Sequence, residues 1–241
     1  PENVLIAGTH THTGPAIVGA LGTPTEEGYG EAIAPKVADA FAMAVRQMKP
    51  AQMAFASGDC GEEVHNRRWH MTDGSVRMNP GYLNPDAVEP AGPTDPQLGL
   101  LILRTPERQP IAALANLGLH YVGAGEGTWI SADYFAAFGE ALQRCAGAEF
   151  LAVMANGCFG DINNCDFSKP GRREVHPYSA IERVANVVAA EAWKAWNLLR
   201  EEDFQSEVDL GAKLAMVPFK ARCPSADELA AAKTLYEAEQ K

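Results

Sequence analysis

The chain has little of what several functions require. Lys and Arg number 20 against 31 Asp and Glu, a net charge of -11. With no basic stripe to offset it, that balance argues against nucleic acid as a partner. It also disfavours a purely electrostatic hold on anionic membranes. No apolar run reaches the roughly 18 residues that a membrane-crossing helix needs. Cysteines are few and odd in number: Cys60, Cys145, Cys158, Cys165 and Cys223. None forms a C-x-x-C pair, so zinc held by thiolates is not expected, and a disulfide framework is not demanded at this length. Cys158 and Cys165 lie close enough in sequence to be bridged in an oxidising compartment, but two small buried hydrophobes is the simpler reading. No signal peptide is visible in this stretch. The first residue is Pro1, one or two residues before an apolar run, so the chain reads as cut from a longer protein.

What is present fits an ordinary globular protein of 241 residues, 46% hydrophobic and 21% charged. A Gly- and Pro-spaced loop runs to Gly30. The spacing of Ile33, Val37, Phe41 and Val45 predicts a helix over 31–49, with Pro35 in its first turn or kinking it. Gln52 to Ala56 reads as a strand, and residues 57–97 as a long irregular segment serving as a binding wall. Leu98 to Arg104 and Ile111 to Leu119 read as a hairpin. Helices are expected over 132–145, behind Ser131, and from His176-Pro177 to about Arg200, with Ile181, Val184, Val188, Ala192 and Trp196 facing inward. Phe150 to Ala155 is an apolar strand, residues 208–219 are extended, and Ser225 to Glu228 is a capping box opening a last helix. The fold class expected is α/β: a layered mixed β-sheet flanked by helices, covered on both faces.

Three apolar runs end in chemistry. Val4 to Gly8 leads into Thr9-His10-Thr11-His12, closed by Gly14-Pro15. In an extended chain the two imidazoles would face one side, the start of a metal site or of a ligand with an acid–base partner. A second run ends at His120, and a third empties into Asn156-Gly157-Cys158-Phe159-Gly160-Asp161-Ile162-Asn163. Ligands gather beyond the carboxyl ends of strands in open α/β sheets, so neighbouring strands would bring His10, His12, His120 and Asp161 together. Asp161 reads equally as a base near a metal or as a turn residue. Zinc suits such a donor set, and hydrolysis of an amide or ester is its natural use. His65, His70 and His176 read as solvated or capping residues, and Trp193 and Trp196 as helix core.

The stretch from Asn3 to Pro15 closely resembles the THTHSGP signature of neutral/alkaline non-lysosomal ceramidases. Asn66-Arg67 is similar to that family's Asn-Arg motif. His120 followed by Ile130-Ser131-Ala132-Asp133-Tyr134 resembles its second zinc-histidine segment, and the loop at Asp161 resembles its Gly-Asp loop. The four matches keep the family's order across roughly residues 1–165. The resemblance implies a zinc-dependent amidohydrolase that cleaves the N-acyl bond of a ceramide-like lipid or related small amide by metal-activated water. It implies His10 and His120 as ligands of Zn2+, and His12 as a contact to the substrate or its oxyanion. Arg67 and Asn66 would stand on the substrate side, with Asp161 and Asn163 in the catalytic loop. It implies peripheral membrane contact through the substrate and favours a secreted or periplasmic location.

The chain also departs from the family. The family carries a serine two residues after the Asp of the Gly-Asp loop, and this chain has Asn163, which orients groups but is no nucleophile. A differently specific esterase, or a non-catalytic binding relative, is therefore the alternative. A two-metal phosphoesterase ranks last, because its Asp-x-His and Asn-His pairs are missing. The family's zinc site also takes a Glu and a Tyr from later Pro-Gly-Glu and Gly-Gly-Tyr motifs, and neither motif occurs here. The chain thus reads as a partial catalytic domain over residues 1–241, without the family's opening strands and later ligand segments. With two imidazoles, it is expected to bind zinc weakly.

Overall fold

The computed structural model describes residues 3–20, 22–121, 123 and 129–239. The chain divides into two units, one of residues 6–208 and one of residues 209–241 with residues 1–5.

The larger unit is built on a four-stranded sheet. In spatial order its strands are β1 (Gln52–Asp59), β6 (Gln97–Arg104), β7 (Pro110–Leu117) and β8 (Leu151–Asn156). β1, β6 and β7 are antiparallel neighbours, and β7 runs parallel to β8, so the sheet is mixed as expected. The β6–β7 hairpin forms where the sequence places it, its turn closed by Thr105 and Gln109, with Arg108 in the left-handed region at φ 67°. The crossover from β7 to β8 is made by helix α2 (Asp133–Ala146). Helix α3 (Ser179–Asn197) lies beside α2 on the same sheet face. One face of the sheet supplies Leu98, Leu100, Ile102, Ala113, Ala115, Leu117 and Met154, all buried. They pack on Tyr134, Phe138 and Leu142 of α2 and on Ile181, Val184, Val188 and Ala192 of α3. Trp196 is partly buried beside them, its ring 5.2 Å from that of Phe150.

The sheet is flanked by helices as expected, but among the described residues it is not covered on both faces. α2 and α3 cover one face, while the other presents exposed Phe55, Leu114, Leu151 and Val153. Helix α1 (Tyr29–Arg46) has the expected helical apolar spacing, yet no residue of it is buried, and Pro35 lies in its second turn. The opening apolar run is also not a strand: Val4, Leu5 and Ile6 are 61%, 94% and 78% exposed. Apolar character alone does not form a strand when no neighbouring edge supplies hydrogen bonds.

Residues 57–97 are more ordered than their turn-rich composition suggests. They hold β2 (His65–Asn66), β3 (Arg68–Met71), β4 (Val76–Met78) and β5 (Ala87–Pro90). β4-β3-β5 form a three-stranded antiparallel sheet, and β2 pairs with β9 (Ile162–Asn163). Along β3 exposure alternates, so Trp69 and Met71 turn inward against Phe167 while Arg68 and His70 face solvent. The strands are only two to four residues long, too short for a periodic signal in sequence.

In the smaller unit, residues 209–221 form no strand. Helix α4 (Ala226–Glu239) begins with the expected capping box: the Glu228 N–H donates to Ser225 Oγ at 3.2 Å and the Ser225 N–H to Glu228 Oε2 at 2.8 Å. All five cysteines are free. Cys158 is exposed, and burial beside Glu191 pushes the Cys60 thiol up to about 12.

Candidate metal centre

Parallel β7 and β8 end side by side, and the site grows from that edge. Beyond them the two backbones nearly touch. The Gly157 N–H donates to the Leu117 carbonyl at 3.0 Å. A Cβ on Gly118 would stand 2.9 Å from the Cys158 carbonyl oxygen, and one on Gly157 3.2 Å from the Gly118 nitrogen. Only glycine fits this crossing. It turns one chain toward His120 and the other toward Phe159.

His120 is 8% exposed, and its Nε2 faces two further imidazoles. His10 Nε2 lies 3.2 Å from it and His12 Nε2 2.8 Å. One ring nitrogen from each of the three lies within 4.8 Å of the others, with His10 and His12 on the solvent side. The ring of Phe159 packs 5.3 Å from those of both His10 and His120 and forms a wall of the cluster.

The histidine doublet reaches this place by a different route from the extended one expected. His10 has φ 62°, in the left-handed region, so the alternation of a strand does not aim the two rings. The segment is instead docked. Asn156, the last residue of β8, donates from Nδ2 to the Thr9 carbonyl at 2.7 Å. The His12 N–H donates to Asp133 Oδ2 at 2.9 Å. The Ser131 N–H reaches the Thr13 carbonyl at 3.4 Å.

Burial, the nearby Arg67 guanidinium and the two neighbouring imidazoles depress His120 to about 4. Burial and His10 also lower His12, against a smaller opposing pull from Asp133. His120 is thus neutral at pH 7, the form that offers a lone pair to a metal. Two of the three separations, 3.2 and 2.8 Å, lie near what such an ion requires. Zinc–nitrogen bonds of about 2.0–2.1 Å at tetrahedral angles place ligand nitrogens about 3.3 Å apart. His120 Nε2 faces both other rings, and one ring nitrogen either donates a single hydrogen or offers a single lone pair, so it cannot satisfy both by hydrogen bonding.

The other residues singled out in sequence fall around this cluster in different ways. Arg67 donates from Nη2 to the Gly160 carbonyl at 2.6 Å, and its field reaches both His12 and His120. Asn66 is buried and its amide is fully used: Nδ2 donates to Asp161 Oδ2 and the Pro93 carbonyl, and Oδ1 accepts the Arg68 N–H. Asp161 receives Asn66 on its side chain and the Arg67 N–H on its carbonyl, so it links β2 to the loop after β8. Asn163 is 1% exposed and, in β9, pairs with His65 of β2. Its Nδ2 donates to Asn79 Oδ1 at 3.0 Å and its Oδ1 accepts the Cys165 N–H at 2.8 Å. His65 reaches the Glu62 carbonyl, and its charge also bears on Asp166, while His176 lies near Glu182 at the start of α3. Sequence reasoning quoted Asp133, Asn156 and Phe159 within its motifs but gave none of these three site-shaping residues a role. An Asn closing an apolar strand was a readable signal for Asn156. Nothing in the sequence pairs Asp133 with His12.

The fold and the cluster define an α/β protein with a three-histidine candidate metal centre. Its fold matches that of neutral ceramidase from Pseudomonas aeruginosa with a TM-score of 0.54 at 16% identity, over 72% of this chain and 27% of that one. It matches a ceramidase complexed with C2 with a TM-score of 0.61 at 18% identity, over 79% of this chain and 30% of that one. This chain therefore corresponds to under a third of the length of either structure. No family model and no curated protein sequence matches it.

Proposed function

We propose that the chain carries the metal-binding part of a zinc-dependent hydrolase that cleaves the N-acyl bond of a ceramide-like lipid or a related small amide. The observation that carries this reading is the convergence of His10, His12 and His120 on one point within a ceramidase-type fold. His10 and His120 would hold Zn2+, as the resemblance implies. The geometry makes His12 a third candidate ligand, a different role from the substrate contact that the resemblance implies. Three imidazoles are a donor set of the kind catalytic zinc uses, and zinc held there would lower the pKa of a water to about 7 and polarise a carbonyl.

Arg67 supports the same reading. Its cationic head lies close enough to depress two of the histidines, and a charge so placed would favour negative charge developing on a substrate oxygen. Exposed Trp129 and Ile130, just ahead of Ser131, offer apolar surface next to the histidine segment for an acyl chain. The expectation of weak zinc binding rested on two imidazoles. With His12 beside them, stoichiometric binding is expected.

One observation favours the alternative of an esterase or a binding relative. Asn163 stands where the family has serine, and its amide is already committed to Asn79 and Cys165. The test is zinc binding by titration, together with hydrolysis of ceramide, short N-acyl amides and matched esters, each beside His10→Ala. Zinc-dependent amide cleavage lost in His10→Ala supports the proposal. Tight zinc binding with ester cleavage alone, or with no cleavage even by the full-length protein, supports the alternative. No zinc binding would end the hydrolase reading and leave the non-catalytic binding relative.

A further inference from the structure

The histidine segment is held by unusually little. Among the described residues, 4–12 belong to no strand or helix, and most are exposed. His10 also carries a left-handed backbone that a side chain rarely adopts without outside support. Yet its ring and that of His12 meet His120 to within hydrogen-bonding distance. Two side chains grip the backbone on either side of His10. Asn156 Nδ2 donates to the Thr9 carbonyl at 2.7 Å, and Asp133 Oδ2 accepts the His12 N–H at 2.9 Å.

Both anchors are themselves fixed. Asn156 ends β8, in register with Leu117 of β7, three residues before His120. Asp133 is 3% exposed at the first position of α2, and its own N–H donates to Ser131 Oγ at 2.9 Å. Each grip therefore ties the loose segment to an element whose place is set by the core. We propose that Asp133 and Asn156 are positioning residues that stand in for the missing strand pairing and hold His10 and His12 in register with His120. Neither of these two hydrogen bonds involves an imidazole. They act on the backbone that carries the rings. The inference rests on the metal-centre reading for its effect on metal affinity, but the grip itself is a property of the metal-free protein.

The experiment separates the two. Zn2+ titration and the visible spectrum of Co2+ are recorded on the full chain, with hydrogen exchange over residues 9–13 in the metal-free form. The variants are His10→Ala, Asp133→Asn, Asp133→Ala and Asn156→Asp. Asparagine at 133 keeps an oxygen acceptor, while aspartate at 156 keeps the shape and removes the donor. Asp133→Ala and Asn156→Asp are expected to weaken zinc by roughly 10- to 100-fold, an effect comparable to losing an outer partner of a ligand. They should also alter the Co2+ bands and speed exchange over 9–13, while Asp133→Asn stays near wild type. His10→Ala should abolish binding and leave exchange at His12 slow.

Wild-type exchange in both Asp133→Ala and Asn156→Asp would overturn the positioning role, whatever the metal does. So would a loss in Asp133→Asn equal to that in Asp133→Ala, because the acceptor would then not be what matters. Faster exchange without any change in metal binding would overturn the link to the site. Binding unaffected by His10→Ala would instead sink the metal-centre reading and leave the grip standing on exchange alone. If Asp133→Ala loses its far-UV spectrum, the result for Asn156→Asp decides the matter.

Discussion

His120 carries the clearest electrostatic signature of any residue at the site. Its pKa falls from an ordinary 6.5 to about 4 through burial, Arg67 and the two neighbouring imidazoles. A histidine depressed in the folded state leaves the unfolded chain binding more protons between those two values, so stability rises with pH across that window. The stability of the metal-free protein should be complete above about pH 6.5, fall as pH drops toward about 4, and level off below. His12, lowered for similar reasons, adds to the same slope. Thermal melts at pH 7.5, 5.5 and 4 check this, with His120→Gln expected to flatten the dependence; equal slopes in the two proteins would contradict it. The role of His12 is decided at the same scale. Loss of an outer partner of a metal ligand already costs roughly 10- to 100-fold in affinity, so as a ligand His12→Ala should weaken zinc by at least about 100-fold. A raised KM with zinc affinity unchanged would return His12 to the substrate side.

Elements, more than single residues, explain what was legible in the sequence and what was not. The β6–β7 hairpin, α2, β8 and α3 could be read because each is long enough to show its period and is bounded by turn residues. The idea that strand ends share a site holds for β7 and β8, which lie parallel and adjacent. It fails for the opening run, whose hydrophobic residues suggested a buried strand but whose backbone finds no edge to pair with. His10 and His12 were thus tied to His120 for the wrong local reason. Alternation does not aim them; Asp133 and Asn156 dock them, and contacts separated by over 120 residues leave no periodic trace. The crossing of β7 and β8 offers a sharper test. Gly118→Ala would push a methyl to 2.9 Å from the Cys158 carbonyl, a backbone atom that cannot give way cheaply. A loss of about 1–3 kcal/mol is expected from such overpacking, with weaker metal binding because His120 lies two residues on. Gly160→Ala, with nothing within 4 Å, should stay within about 0.5 kcal/mol of wild type. Urea melts and zinc titrations of both variants decide it.

At the scale of the whole molecule, the main consequence is the sheet face that, among the described residues of the larger unit, α2 and α3 leave open. Strand register sets Phe55 against Leu101, Leu101 against Leu114, and Leu114 against Val153, one apolar row across all four strands. A second row runs through Met53, Leu103, Ala112 and Leu151. Phe55, Leu114, Leu151 and Val153 are 71%, 45%, 61% and 45% exposed. A contiguous apolar face of this kind lowers solubility and binds hydrophobic dyes, whereas scattered surface hydrophobes do neither. The opposite face packs on α2 and α3, so charges placed on the open face should leave the core intact. The double variant Phe55→Lys with Val153→Lys is therefore expected to lose most anilinonaphthalene sulfonate fluorescence and to gain solubility. Its stability should change by no more than about 1 kcal/mol, as for two exposed sites away from the core. Dye titration, solubility in sulfate and thermal melting measure the three effects together. A variant that melts several degrees lower with its dye binding intact would mean that these side chains pack inward and that the sheet has no open face.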